Sequence, residues 1–380
     1  MTLDTQKLRA HFPMTSEWNY VNHATHGPFP TQTSEAISNL AHAWTSPADL
    51  DHDENDRTAN AVRQMIARTI NGKPENIAFT GSLAESMSLA AAGLDWKPGD
   101  NCVIPEHEFP SVVYPFLNLE RRGVTVRFAP KDDAGFTSVD RIRETADQRT
   151  RAIVVSHVEF MNGFRNDLAA LTQLAHDLDA VLISDVTQSL GPCEIDVANS
   201  GVDVVGAHSY KWLMASYGVG VTYLSDRAIE RVEPTYAGRL SVDLGFEDLS
   251  YQLNFRPGAA RYQSGGLNWI TLTGLRASLE LITSMNPADI ASHTVALTER
   301  LLDGVEARGY QISSSREAER RSAIVAFTTG NQEEDAALVS DLGAKKISVA
   351  HRGLGIRVSP YFYNTADDID QLIAALPRRS

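Results

Sequence analysis

The chain has 380 residues, of which 43% are hydrophobic and 22% charged, the composition of an ordinary globular protein. That balance excludes a mainly disordered chain, a coiled coil and a collagen-like fibre, and the length allows more than one domain around a large core. With 34 Lys and Arg against 48 Asp and Glu, the net charge of -14 disfavours nonspecific binding to nucleic acid or to an anionic membrane. A small anionic substrate in a locally basic pocket stays compatible with it.

In chain order, the opening segment MTLDTQKLRAHF has no long apolar core, and no run approaches the ~20 apolar residues that span a bilayer. The two cysteines, Cys102 and Cys193, cannot build a disulfide framework or a Cys-rich zinc site. These features together predict a soluble protein of the reducing cytoplasm. His23 and His26 are spaced HxxH without an accompanying ligand pattern, and the acidic stretch 49–56 (DLDHDEND) reads as a solvated loop, so no metal site is expected.

From residue 76 to about 224, short apolar runs alternate with helix-like segments. Strands are predicted at 76–79, 101–104, 125–128, 152–156, 180–184 and 202–205. Helices are predicted over 85–93 and 167–178, the second capped by Asp167. Continuous rather than alternating apolar strands imply burial on both faces, hence a mostly parallel sheet between helical layers. In such sheets ligands bind beyond the carboxyl ends of the strands.

Residues 224–262 are irregular and rich in Gly, Tyr and Arg. Helices over 269–285, 288–308 and 366–376, with strands near 322–327 and 355–359, predict a second α+β unit. The expected division is a large domain at 20–262 and a smaller one formed by 1–19 and 263–380.

The ATP, dinucleotide and zincin motifs GxxxxGK, GxGxxG after a strand, and HExxH are absent. The informative stretch is SDVTQSLG (184–191), followed by AHSYKWL (207–213). An aspartate at the end of a buried strand, Asp185, needs a cationic or hydrogen-bonding partner unless it merely caps a helix. A lysine held in a pocket, as Lys211 could be, can have its pKa lowered and act as a Schiff-base nucleophile; the alternative is a surface charge.

These segments resemble the signature of fold-type I pyridoxal-phosphate enzymes. They are similar to the class V aminotransferase group, with its cysteine desulfurases, kynureninases and isopenicillin-N-epimerase-like proteins. YVNHA (20–24), FTGSLAES (79–86), EFPS (108–111), RYQSGGLN (261–268) and RVSPYFYNT (357–365) follow in the family's order. The resemblance implies an α/β fold, with a large domain built on a mostly parallel seven-stranded sheet and a smaller α+β C-terminal domain.

It also implies roles. Lys211 would carry the cofactor, pyridoxal 5'-phosphate, as a Schiff base and later shuttle the α-proton. Asp185 would keep the ring nitrogen protonated, and Gln188 would bond the phenolic oxygen. Ser82 with the amides of Leu83 and Ala84 would cradle the phosphate at a helix N-terminus, with His208 as a second phosphate position or else a packed core histidine. Phe109 aligns with the residue stacked on the ring, although His107 lies two residues earlier.

Arg357 would bind the substrate α-carboxylate with its planar fork. Arg352 nearby could serve a second carboxylate, but reads better as a solvated loop residue. The stretch 22–30, including His26, is expected to line the pocket with the 236–256 region and Tyr361. Gly266 stands where the family usually has a threonine that reaches the partner's phosphate, so homodimeric shared sites are implied. The desulfurase loop cysteine is missing from 347–353 (ISVAHRG), which disfavours a persulfide mechanism. The leading expectation is an aminotransferase acting on a small amino acid or amine. The alternative is a β-eliminating carbon–sulfur lyase on a cysteine-derived substrate, with an epimerase or kynureninase-like hydrolase behind it. A non-catalytic cofactor-binding protein is the reading from another class.

Overall fold

The computed structural model describes residues 3–46, 52–243 and 249–379. A short helix, α1 (Thr5–Arg9), is capped by Asp4 and followed by the two-residue strand β1 (Asn19–Tyr20). Helices α2 (Thr31–Ala43) and α3 (His52–Thr69) come next. The acidic stretch expected as a loop instead opens α3 from His52 onward. Asp53 and Glu54 occupy the first turn, where carboxylates favour the positive end of the helix dipole. Residues 49–51 of that stretch, and 244–248 of the expected pocket region, lie outside the described residues.

The central sheet comprises β2 (Ile77–Thr80), β3 (Asn101–Pro105), β4 (Thr125–Ala129), β5 (Thr150–Ser156), β6 (Val181–Asp185), β7 (Val204–His208) and β8 (Gly220–Leu224). Between them run α4 (Leu83–Gly93), α5 (Pro110–Leu117), α6 (Val139–Thr145), α7 (Leu168–Asp177) and α8 (Val197–Ser200); α9 (Asp226–Arg231) follows β8. The seven strands lie in the order β2-β8-β7-β6-β5-β3-β4. Strands β4, β3, β5, β6 and β7 pair in parallel, while β8 is antiparallel to both β7 and β2. The sheet is therefore mostly parallel.

Alternate residues of one strand enter two different cores, because successive side chains leave opposite faces of the pleat. Val103, Ile153, Val155 and Leu182 pack with α3 and α7 residues such as Ile66 and Leu171. Cys102, Ile104, Val154 and Ile183 pack with Met87, Leu89, Val112 and Phe116 of α4 and α5. Both faces are covered, which is why these strands read as continuous apolar runs.

The second unit follows α10 (Trp269–Ile282) and contains α11 (Pro287–Glu306), β9 (Gln311–Ile312), β10 (Val325–Thr328), α12 (Gln332–Ala344), β11 (Ile347–Ser348), β12 (Ala350–Arg352), β13 (Gly355–Val358) and α13 (Ala366–Ala375). Its antiparallel sheet has the order β12-β13-β10-β9, and Leu301, Phe327, Ile356, Val358 and Ile369 form its core. Helix α10, which the sequence groups with this unit, packs on α2 and α3; its Leu272, Leu275 and Leu279 join the core of the large sheet.

The chain's start forms a third, two-stranded sheet with the second unit and reaches the large one through the Gly27 amide on the Tyr210 carbonyl. Strand β1 pairs with β11, Arg9 forms a 2.6 Å ion pair with Asp368, and the Ser359 amide donates to the Val21 carbonyl (2.7 Å). Residues 20–27 thereby run from the second sheet to the carboxyl ends of the central strands. Among the described residues no helix is long and apolar enough to cross a membrane.

Candidate active site

Asp185 ends β6 beneath this crossing segment and is only 5% exposed. Its Oδ1 accepts the Thr187 amide at 2.7 Å, and it forms no ion pair among the described residues. Burial pushes its pKa up, opposed by the Thr187 hydrogen bonds and by the charge of Lys211. A buried carboxylate left this way lacks a cationic partner, and a protonated ring nitrogen is a group of that kind.

Lys211 lies in the turn between β7 and β8 and is 8% exposed. Its Nζ sits 5.5 Å from the ring centre of Phe109 and 5.9 Å from that of Tyr210. Burial lowers its pKa to about 8; Asp185 works against this, while Arg357 and Arg352 lower it further. The turn is held rigidly. The Met214 amide donates to the Lys211 carbonyl (3.0 Å), with Met214 itself at φ 51° in the left-handed region. Buried Trp212 donates from Nε1 to Gln188 Oε1 (2.8 Å), and Gln188 Nε2 donates to the Ala24 carbonyl (3.0 Å). Gln188 thus spans the lysine turn and the crossing segment, a bracing role that sequence reading did not foresee. Of the two candidates for the ring-stacking position, Phe109 faces the amine; His107 is exposed at φ 67°.

At the start of α4, Ser82 is the N-cap and its Oγ accepts the Glu85 amide (3.2 Å). Leu83 and Ala84 open the helix, so their amides belong to the set that a helix cannot satisfy internally. The Leu83 amide points at His208 Nδ1 (3.5 Å). Burial and the nearby Lys211 charge push His208 down to about 4, which keeps it neutral and able to accept. The loop 264–268 lines a cleft of about 250 Å³ with Thr80, Gly81 and Glu85. Gly266 stands free there, with no atom within 4 Å of where a Cβ would project.

Arg357 on β13 is 1% exposed. Its Nη1 donates to the Phe160 carbonyl (2.6 Å) and its Nη2 to Thr25 Oγ1 (2.8 Å), while Nε has no hydrogen-bond partner. Burial lowers its pKa to about 9, assisted by the charge of Arg352. Arg352 is not a solvated loop residue. It ends β12, is half-buried, and donates from Nη2 to the same Thr25 oxygen (3.1 Å). His26 is half-buried with its ring 5.8 Å from Tyr210 and 5.7 Å from Tyr217, and burial lowers its pKa. His23, by contrast, is fully buried, shares a 2.8 Å hydrogen bond with the Tyr363 hydroxyl and stacks on Trp212. Tyr361 is also fully buried and meets both of those rings edge-on.

Two carboxylates near Asp185 escaped the sequence reading. Buried Glu108 accepts from the Ser156 amide and from Ser156 Oγ (2.6 Å), next to β6 because Ser156 pairs with Asp185. Burial raises its pKa to about 7, and Asp185 adds to the rise. Glu159 accepts from Asn166 Nδ2 (2.9 Å) and is also raised by burial, with Glu108 and Asp185 contributing. Glu108 sits in the motif that supplies Phe109, so its neighbour was the only available signal.

The arrangement fits pyridoxal phosphate on the observations above: an amine with a lowered pKa, a buried carboxylate lacking an ion-pair partner, a capped helix N-terminus and a buried guanidinium lie around the carboxyl ends of β6 and β7. Comparison with known proteins agrees. A probable cysteine desulfurase of Methanothermobacter thermautotrophicus is 28% identical over 338 residues, covering 83% of this chain and 82% of that one. An uncharacterized aminotransferase of Bacillus subtilis is 24% identical, covering 82% and 81%. Among solved structures, the cystine C-S lyase C-DES in complex with cysteine persulfide superposes with a TM-score of 0.87 at 22% identity, covering 96% of this chain and 98% of that one. The apo cysteine desulfurase of Thermococcus onnurineus superposes at 0.86, also at 22% identity, covering 98% and 97%. Residues 28–372 match the Aminotransferase class-V family, and the chain belongs to this family of pyridoxal-phosphate enzymes.

Proposed function

We propose that the protein is an aminotransferase that moves the amino group of a small amino acid to a 2-oxo acid. The observation that carries this reading is the Lys211 amine, buried opposite Phe109 with its pKa lowered to about 8. Near neutral pH a useful fraction is uncharged, so Nζ can take the proton of the substrate Cα and hold it within the site. Pyridoxal phosphate supplies the electron sink that makes that carbon acidic. Ser82, the Leu83 and Ala84 amides and His208 would hold its phosphate, and Asp185 its ring nitrogen. Phe109 covers the amine with an apolar face that cannot titrate. Arg357 orients the substrate carboxylate by exchanging its Thr25 and Phe160 contacts for a bidentate pair.

Several relatives are called cysteine desulfurases, yet this chain offers no thiol to receive sulfur. Cys102 is buried in β3 with its pKa raised to about 12, and Cys193 is buried with its pKa raised to about 11, both by burial. A β-eliminating carbon–sulfur lyase is the second reading, favoured by the similarity to C-DES and compatible with the same base. Incubation with an amino-acid panel separates the two. Transamination gives a 2-oxo acid in step with loss of an added acceptor oxo acid and without free ammonia. Release of ammonia with pyruvate and a thiol or persulfide would replace the first reading by the second.

We infer a homodimer as the working form. Exposed Leu249, Tyr251 and Leu253 (68%, 84% and 65%) form an apolar stretch that a second copy would cover. Sedimentation of a fully active monomer at micromolar concentration would end that inference.

A further inference from the structure

The hairpin β12–β13 presents two arginines on one face. Arg357 pairs with Ala350, and Ala350 and Arg352 are two residues apart on the same strand, so both guanidiniums project from the same side. They converge on a single neutral acceptor, Thr25 Oγ1, at 2.8 and 3.1 Å. Their remaining contacts are also uncharged: the Phe160 carbonyl for Arg357 and the His351 carbonyl for Arg352. Neither makes an ion pair among the described residues. Both act on the charge of Lys211, which places them on the reacting side of the pocket. A fully buried and a half-buried cation sharing one hydroxyl repel each other, and anions offset that cost. One carboxylate leaves a net positive charge; two neutralise the pair.

We propose that the substrate carries two carboxylates, the α-carboxylate on Arg357 and a side-chain carboxylate on Arg352, so that the site selects acidic amino acids and their 2-oxo diacids. The inference rests on the amino-acid reading of the site given above and names its substrate class. Thr25 then acts as a spacer. It holds both forks open until the acids replace it. A guanidinium is suited to each position because its planar donors meet both oxygens of one carboxylate.

The test is a binding measurement on the holoenzyme with unreactive acids of equal length, glutarate against valerate, by calorimetry. The wild-type protein is expected to bind glutarate at least about tenfold more tightly, the equivalent of ~1.4 kcal/mol. In Arg352→Gln that ratio should fall to about one, and in Arg352→Lys, which keeps a point charge but loses the fork, to an intermediate value. Variants are compared only when melting temperature and bound cofactor match the wild type, and Arg352→Lys serves if Arg352→Gln does not fold. A wild-type ratio near one overturns the proposal. So does a ratio that persists in both variants, which would mean that a group other than Arg352 holds the second carboxylate. Because no turnover is needed, the outcome is independent of whether the enzyme transaminates. Ammonia release in the panel experiment with an intact glutarate preference would remove the aminotransferase reading and leave the diacid site standing.

Discussion

Gly27 lies directly against the backbone of Lys211: a Cβ at Gly27 would stand 1.9 Å from the Lys211 carbonyl oxygen. The Gly27 amide donates to the Tyr210 carbonyl (2.9 Å), which fixes the crossing segment on the lysine turn. No side chain can occupy that space without moving the turn. Gly27→Ala should therefore cost about 1–3 kcal/mol of stability by overpacking. Because a shift of about 1 Å at a reacting group can cost ~10²-fold, the rate should fall by roughly that factor. Thermal unfolding and kcat check the pair, and a variant with wild-type kcat would show that the turn tolerates displacement.

Lys211→Ala should lose the lysine-linked cofactor absorbance and the adduct that borohydride fixes. Peptide mass mapping of the reduced wild-type protein should place the adduct on Lys211. An adduct on any other lysine refutes the assignment.

Asp185→Asn keeps the side chain's shape but removes the negative charge proposed to face the ring nitrogen. Cofactor should still bind, while kcat drops by roughly 10²–10³, the scale of losing one preorganised electrostatic partner. Near-normal turnover would mean that the electron sink works without Asp185.

The pH dependence of Lys211 follows from its lowered pKa. Between about 8 and the ordinary value of 10.5 the native lysine is deprotonated while the unfolded one still binds a proton. Stability linked to this residue accordingly rises with pH across that window and is flat below it. In protein freed of cofactor, the rate of labelling Lys211 by an aldehyde should inflect near pH 8. An inflection near 10.5 would show an exposed, ordinary amine.

Glu108 works in the opposite direction. Its pKa lies near 7 in the native state against 4.5 ordinarily, so the folded protein binds the extra proton and stability falls as pH rises from about 4.5 to 7. Glu108→Gln should flatten that part of the stability curve as followed by denaturant unfolding. An unchanged slope would assign it to Glu159 or Asp185.

The sequence announced the parts of this site whose signal is local. The run 180–184 marks β6, whose last residue is Asp185, and the SYKW stretch marks the lysine turn. Ser82 caps α4, as its place before a helical run suggests. Features that depend on strand order were hidden. Strand β8 (Gly220–Leu224), absent from the predicted strands, is as fully buried as the parallel strands β3 and β6, so nothing in its composition shows that it runs the other way. Thr25, Phe160 and Arg352 gain meaning only where three distant segments meet. Glu108 acquires its buried partners only where β5 is placed beside it. The helical start of α3 was misread because DLDHDEND has the composition of a loop, although acids are also what a first helical turn prefers.

The Thr25–Arg357 contact joins residues 332 positions apart, whereas Gln188 and Trp212, which brace the lysine turn, are only 24 apart. The two halves of the site therefore mature at different times. At ribosomal speeds of about 5–20 residues per second, Thr25 waits roughly 20–60 s for its arginine to be made, over a span of 332 positions. Lys211 and its brace Gln188–Trp212 are on the chain well before that. Long-separation contacts also close slowly in refolding. The young chain thus carries its lysine before it carries the arginine proposed to orient a carboxylate, and on that proposal selectivity is the last property to arrive.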